Sequence, residues 1–134
     1  MPKRIAQFSL LVPDYDPAIA FFTAIGFTLV EDTDLGDAKR WVRIALPGAG
    51  TELLLARAVG ERQIAAIGEQ GGGRVWLFLE TEEFDHDLQR LRDAGAVIEG
   101  APRDEPYGRV VVWTDPFGNR WDLIQYARPD RSGT

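Results

Sequence analysis

The chain of 134 residues contains no cysteine, one histidine and one methionine. Without cysteine there is no disulfide framework, no thiolate metal centre and no cysteine nucleophile. The lone histidine, His86, lies between Asp85 and Asp87 on the polar face of a predicted helix, and reads as solvent-exposed. Long apolar runs are missing as well: none approaches the roughly 18 residues of a membrane span. The N-terminal stretch has two basic residues and then a short apolar segment that alternates into an acidic turn. That pattern argues against a secretory signal, and the chain reads as cytoplasmic. Positive charge is the minority, with 15 Lys and Arg against 21 Asp and Glu, a net −6. The arginines are interspersed with acids, so no basic stripe invites nucleic acid or an anionic membrane. A small molecule is the expected partner.

What is present is ordinary for a soluble globular protein, with 45% hydrophobic and 27% charged residues. The length suits one domain. The most informative feature is internal repetition. LLVPDYDPAIAFFTAIGFTLV (residues 10–30) reads as strand, acidic turn, amphipathic helix, Gly and strand, and LFLETEEFDHDLQRLRDAGAVIE (residues 77–99) follows the same plan. Each copy is followed by a hairpin whose returning strand carries a carboxylate, Glu52 in GTELLLA and Asp122 in GNRWDLIQY. A βαβββ unit is too small to bury its faces unaided, because a sheet needs a second layer and a useful number of strands. The expected organisation is therefore one domain. Repeat one covers about 4–57, a linker 58–73, repeat two about 74–126, and a loose tail 127–134.

Local signals place the elements. Residues 5–12 alternate as a half-buried strand, with Phe8, Leu10 and Val12 on one face and Gln7, Ser9 and Leu11 on the other. Asp14, Asp16 and Pro17 suit a helix start, Ile19, Phe22 and Ile25 a helical stripe, and Gly26 a C-cap. A strand is expected over 27–31, a polar loop over 32–37, and a hairpin of 40–46 and 52–57. In the linker, 61–67 suits a short helix. The second unit is expected as strand 74–79, helix 83–93, strand 96–99, a loop through Pro102, Pro106 and Tyr107, and a hairpin of 109–114 and 120–126. Asp115-Pro116-Phe117-Gly118-Asn119 is strong turn chemistry for that hairpin. Trp113 and Trp121 alternate toward the helix side, as core.

The stretches VPDYDPAIAFFTAIGF, Gly95-Ala96-Val97 and DPFGNRWDLIQ, in this repeated arrangement, resemble the vicinal oxygen chelate superfamily. This is the glyoxalase/bleomycin-resistance/dioxygenase group. The resemblance covers about residues 5–126. It implies an α+β fold: two βαβββ repeats forming a curved, mostly antiparallel eight-stranded sheet, with helices outside and a cup within. It also implies a homodimer, with repeats paired within a chain or exchanged between chains. In metal-using members a divalent ion is held by four side chains from the first and last strands of each unit. Carried over, those positions are Gln7, Glu52, Arg74 and Asp122. Glu52, Asp122 and the Gln7 carbonyl are acceptable oxygen donors. Arg74 is not, because a guanidinium stays protonated and has no lone pair to give. The expectation is therefore no resident cofactor. If an ion is bound, Gln7, Glu52 and Asp122 are its ligands.

Three readings of Arg74 stand side by side: a cation in the place of the ion, a partner in an internal ion pair with Glu52 or Asp122, or an anchor for an anionic ligand. Trp76 and Phe78 share its face, and Trp41 and Arg43 belong to a neighbouring strand. These side chains form either an aromatic pocket wall or a packed core or dimer contact. Tyr107 sits in a loop near the mouth of the cup. Glu52 is a candidate general base, its pKa raised by burial beside Asp122. Three functions follow. The first is a bleomycin-resistance-like small-molecule-binding protein with a degenerate metal site. The second is a lyase, isomerase or dioxygenase of the glyoxalase type using Glu52 and Asp122. The third is a non-enzymatic interaction module with a filled cup.

Overall fold

The computed structural model describes residues 2–128 and divides the chain into two compact units, Met1–Gly68 and Glu69–Thr134. The expected tail falls mostly outside the described residues. The first unit runs β1 (Gln7–Val12), α1 (Tyr15–Ala24), β2 (Thr28–Gly36), β3 (Lys39–Ala45), β4 (Glu52–Arg57) and α2 (Gly60–Ala66). The second runs β5 (Leu77–Glu80), α3 (Phe84–Asp93), β6 (Val97–Glu105), β7 (Gly108–Thr114) and β8 (Arg120–Tyr126). The eight strands make two four-stranded mixed sheets, ordered β1-β4-β3-β2 and β5-β8-β7-β6. In each, the first strand pairs parallel with the last, and the other pairings are antiparallel. This is the α+β, glyoxalase-like architecture.

The repeat is visible in the capping of its helices. The Gly26 N–H donates to Thr23 O (3.2 Å) and Phe27 N–H to Phe22 O (2.9 Å). Sixty-nine residues later, Gly95 N–H donates to Arg92 O (3.1 Å) and Ala96 N–H to Leu91 O (3.0 Å). Both are Schellman caps, which need a left-handed residue after the helix. Gly26 and Gly95, at φ 113° and 96°, supply it without a Cβ clash. At the other end of α1, the Asp14 carboxylate accepts the Tyr15 N–H at 2.8 Å. At the start of α3, Thr81 accepts from Glu83 N–H and donates to Asp87.

Each core lies between a sheet face and its helix. In the first unit, Leu10, Val12, Val42, Ile44, Leu53 and Leu55 meet Tyr15, Ala18, Phe22 and Ile25 of the helix side, all buried. The helical stripe thus begins at Tyr15, and Ile19 lies at its margin. In the second unit, Trp113 and Trp121 stack at 4.8 Å with an interplanar angle of 17°. Both are core, as the alternation predicts. Burying side chains of this size is worth about 1.5–3 kcal/mol each before conformational entropy is counted.

Three boundaries differ from expectation. Strand β2 continues through the expected polar loop, to Gly36, and β6 continues past Pro102, to Glu105. Both are edge strands. One side faces no partner strand, so polar residues are tolerated, and the apolar alternation that betrays a strand is absent. Pro102 is accommodated by an irregularity in pairing between Glu99 and Arg103, with Gly100 at φ 70°. Conversely, β5 begins only at Leu77. Arg74 lies in the preceding turn, its N–H donated to Gly71 O at 3.3 Å.

Candidate functional site

Period-two alternation decides which side chains stand on the sheet face opposite the helix. In the first unit, Leu10, Leu53, Leu55, Val42 and Ile44 point to the core. The alternate positions Gln7, Ser9 and Leu11 of β1, Glu52 and Leu54 of β4, and Trp41 and Arg43 of β3 share the other face. Gln7 and Glu52 are direct ladder partners. Arg43, on β3 between its neighbours, clasps two carboxylates. Its Nε donates to Glu52 Oε1 (2.7 Å) and Nη2 to Glu52 Oε2 (3.1 Å), while Nη1 reaches Glu31 Oε1 (2.7 Å). Thr33 completes the chain by donating to Glu31 Oε2 at 2.8 Å. These charge-assisted bonds favour the ionised carboxylates. The Arg43 guanidinium holds Glu52 and Glu31 below the usual glutamate range, with Thr33 adding to the effect at Glu31. The expected rise at Glu52 is therefore reversed: its nearest charge is a guanidinium, and hydrogen bonding outweighs burial.

In the second unit, Leu79, Trp121 and Leu123 point to the core, while Phe78, Arg120 and Asp122 share the opposite face. Trp76, just before β5, donates its N–H to Arg120 O at 2.9 Å and extends the ladder. Arg120 donates to both oxygens of Glu99, Nε at 3.1 Å and Nη2 at 2.8 Å, and its Nη1 donates to Gly73 O at 3.0 Å. Asp122 lies between its ladder partners Phe78 and Val112. It is buried, and its Oδ1 has no hydrogen-bond partner among the described residues. Burial pushes its carboxyl above the usual aspartate range, against the opposing pull of Arg103 and Arg120. Phe78 is 60% exposed. Tyr107 forms the β6–β7 turn and is held through its backbone, with its carbonyl accepting the Ala127 N–H.

The ladders also correct the equation of Glu52 with Asp122. The buried pairs Leu10–Leu55 and Leu79–Leu123 are equivalent between units. On that footing Glu52 corresponds to Arg120, and Asp122 to Leu54. A two-residue stagger keeps a side chain on the same face but moves it nearly 7 Å along the strand. The two carboxylates therefore do not occupy equivalent positions in their units.

The carried-over metal positions do not fit an ion. Both oxygens of Glu52 are already engaged by Arg43. Arg74, exposed in its turn, has no lone pair. Among the described residues, no three His, Asp or Glu side chains gather as a ligand set. Within the second unit, Arg74 makes no ion pair with Asp122. Arg43 is the ion-pair partner of Glu52, and Arg74 has no ion pair among the described residues. Glu31 and Glu99 went unrecognised in the sequence because pairing irregularities at Leu29/Glu31 and Glu99/Arg103 set their registers.

Two βαβββ units, each with a last strand returning parallel to its first and a polar sheet face, define the glyoxalase-like class. Comparison with known proteins agrees. Residues 4–123 match the model of the Glyoxalase/Bleomycin resistance protein/Dioxygenase superfamily, and the chain belongs to that superfamily. It is 44% identical over 128 residues to an uncharacterized protein of Shewanella frigidimarina (strain NCIMB 400), covering 93% of this chain and 95% of that protein. Among solved structures it is similar to UcmS2, with a TM-score of 0.77 and 26% identity over 92% of this chain and 98% of that one. It is also similar to TnmS3, an antibiotic binding protein from Streptomyces sp. CB03234, with a TM-score of 0.69 and 29% identity over 94% and 98% of the two chains.

Proposed function

We propose that this protein is a small-molecule-binding protein of the bleomycin-resistance type that works without a metal ion. The observation that carries this reading is the Arg43 clasp on Glu52 and Glu31. A guanidinium already neutralises the carboxylate that metal-using relatives would be expected to offer. The same contact makes Glu52 a weak base, which counts against enolisation chemistry at that residue. Similarity to an antibiotic binding protein supports a binding role. The ligand would be flat and partly apolar, meeting the aromatic side chains Trp76 and Phe78 of the second unit, with Arg74 free to receive an anionic substituent. In this reading the chain acts in the cytoplasm as a homodimer, without nucleic-acid or membrane partners. Among the described residues no helix is long and apolar enough to cross a membrane.

A second reading rests on Asp122. A buried carboxyl with one unpartnered oxygen and a raised pKa suits proton transfer or a hydrogen bond to a bound molecule. Calorimetric titration of chelator-stripped protein with Mg²⁺, Mn²⁺, Fe²⁺, Ni²⁺ and Zn²⁺ tests the leading reading, with Glu52→Gln as control. No specific heat is expected. Tight binding that Glu52→Gln abolishes would overturn the metal-free reading and bring the glyoxalase-type enzyme forward.

A further inference from the structure

A cavity of about 400 Å³ in the first unit, away from the face just described, is lined by Pro13, Asp14, Tyr15, Ala38, Arg40 and Arg57. It lies at the carboxyl ends of the parallel pair β1 and β4, where Val12 is the ladder partner of Arg57. The second unit provides an internal control. Arg40 sits over the Tyr15 ring at 5.0 Å and pairs with Asp16 at 2.9 Å. Sixty-nine residues on, Arg109 sits over the Phe84 ring at 4.9 Å and pairs with Asp85 at 3.3 Å. An arrangement present in both units is scaffold. Arg40 is further tied to Asp32 by two hydrogen bonds, so its charge is already compensated.

The differences between the units are informative. At the position of Arg57 the second unit has Gln125, whose amide donates to Glu82 O at 3.4 Å. Arg57 itself is half-buried, and its side chain has no hydrogen bond or ion pair among the described residues. Where the second unit places Tyr107 in its β6–β7 turn, the first has the small Ala38, held in the left-handed region at φ 63°. Its φ, together with the 55° of Asp37, is the positive pair that the two-residue turn between β2 and β3 requires. The first unit thus has an open cavity, a small residue at its rim and one uncommitted guanidinium.

We infer that this cavity binds a small organic monocarboxylate, its carboxylate on the Arg57 guanidinium and its apolar body against Pro13 and Ala38. The planar fork of Arg57 matches a carboxylate in two parallel hydrogen bonds. The volume falls in the range of small-molecule sites, roughly 300–1,000 Å³. Asp14 lines the cavity and Asp16 and Asp32 pair with its wall residue Arg40, and these carboxylates set the charge preference. They repel a phosphate dianion more strongly than a monoanion. This site is independent of the sheet-face reading above.

The test is ¹H–¹⁵N NMR titration of the full chain with benzoate, inorganic phosphate and benzamidine. Benzoate should shift the Arg57 Nε–H and the amides of Asp14, Tyr15, Ala38 and Arg40 along one saturable curve. Phosphate and benzamidine should bind at least tenfold more weakly. Arg57→Gln should weaken benzoate at least tenfold at an unchanged melting temperature, since the side chain has no partner to lose. Arg57→Lys, which keeps the charge but not the fork, should fall between the two. Absence of saturable shifts, equal affinity in Arg57→Gln, or a preference for phosphate or benzamidine would each overturn the inference.

Discussion

Removal of the Asp115 carboxylate should cost more stability than any surface substitution, and the structure allows the size to be worked out. Asp115 is 3% exposed and organises the β7–β8 turn. Its Oδ1 accepts the N–H groups of Phe117 (2.9 Å) and Asn119 (3.0 Å), and its Oδ2 accepts Asn119 Nδ2 (2.9 Å) and Trp121 Nε1 (3.0 Å). In Asp115→Ala the Phe117 N–H, only part-buried, can turn to water. The Trp121 indole N–H, the Asn119 N–H and the Asn119 Nδ2 amide lie in buried bonds and lose their acceptor. Each orphaned buried donor costs about 1–3 kcal/mol, so the three together cost at least about 3 kcal/mol. With a urea m-value on the order of 1.5 kcal/mol/M, the midpoint should fall by at least about 2 M. Asp115→Asn retains one acceptor oxygen and should lose less. The same turn starts β8, which carries Arg120 and Asp122, so amide exchange in β8 should accelerate in parallel. Urea denaturation followed by tryptophan fluorescence reads the effect directly, because Trp113 and Trp121 are stacked beside the turn. A loss below about 1 kcal/mol in Asp115→Ala would show that the carboxylate's bonds are replaceable and refute the reasoning.

The two sheet faces should respond to pH with opposite sign. Glu52 is depressed in the folded state, so its contribution is complete above the ordinary glutamate range. It is lost as pH falls through the lower folded value. Urea curves from pH 7 to pH 3 should show the gap between the parent and Glu52→Gln closing at the acid end. A gap that widens in acid would contradict the Arg43 clasp. Asp122 is raised, so the folded state holds its proton more tightly than the unfolded chain, and stability falls as pH rises through the folded value. Asp122→Asn should therefore be at least as stable as the parent at pH 7 and lose that advantage below about pH 4. Destabilisation at pH 7 would mean that the ionised carboxylate is better paired than its orphaned oxygen indicates. Thr81→Val removes both the acceptor for Glu83 N–H and the donor to Asp87 at the start of α3, and should cost about 1 kcal/mol by thermal denaturation. A neutral result would assign the helix start to Phe84 burial alone.

Much of the fold was legible because its signals are local. Gly26 and Gly95 mark helix ends, since only a few residues make each cap. The Asp115 turn could be read from its Pro and Gly-Asn content, and the placing of Trp113 and Trp121 in the core followed from alternation along one strand. The full lengths of β2 and β6 were not legible. Edge strands carry polar residues on both sides, and Pro102 looked like a loop until the pairing irregularity beside it was seen. In the site, Gln7, Glu52, Trp41 and Arg43 do share a face, as alternation predicts. Arg74 misled because the strand it was assigned to begins three residues later.

The sequence by itself determined the two-unit plan, the helices with their caps, and which face of each strand is apolar. All of these depend on residues within a few positions of one another. Only the tertiary structure decided that Arg43 clasps Glu52, that Asp122 stands two residues out of step with Glu52, and that Arg57 keeps an uncommitted charge beside Ala38. Those outcomes depend on register between strands distant in the chain. A pairing irregularity of one residue moves a side chain by a full strand step, and period-two alternation within either strand does not reveal it.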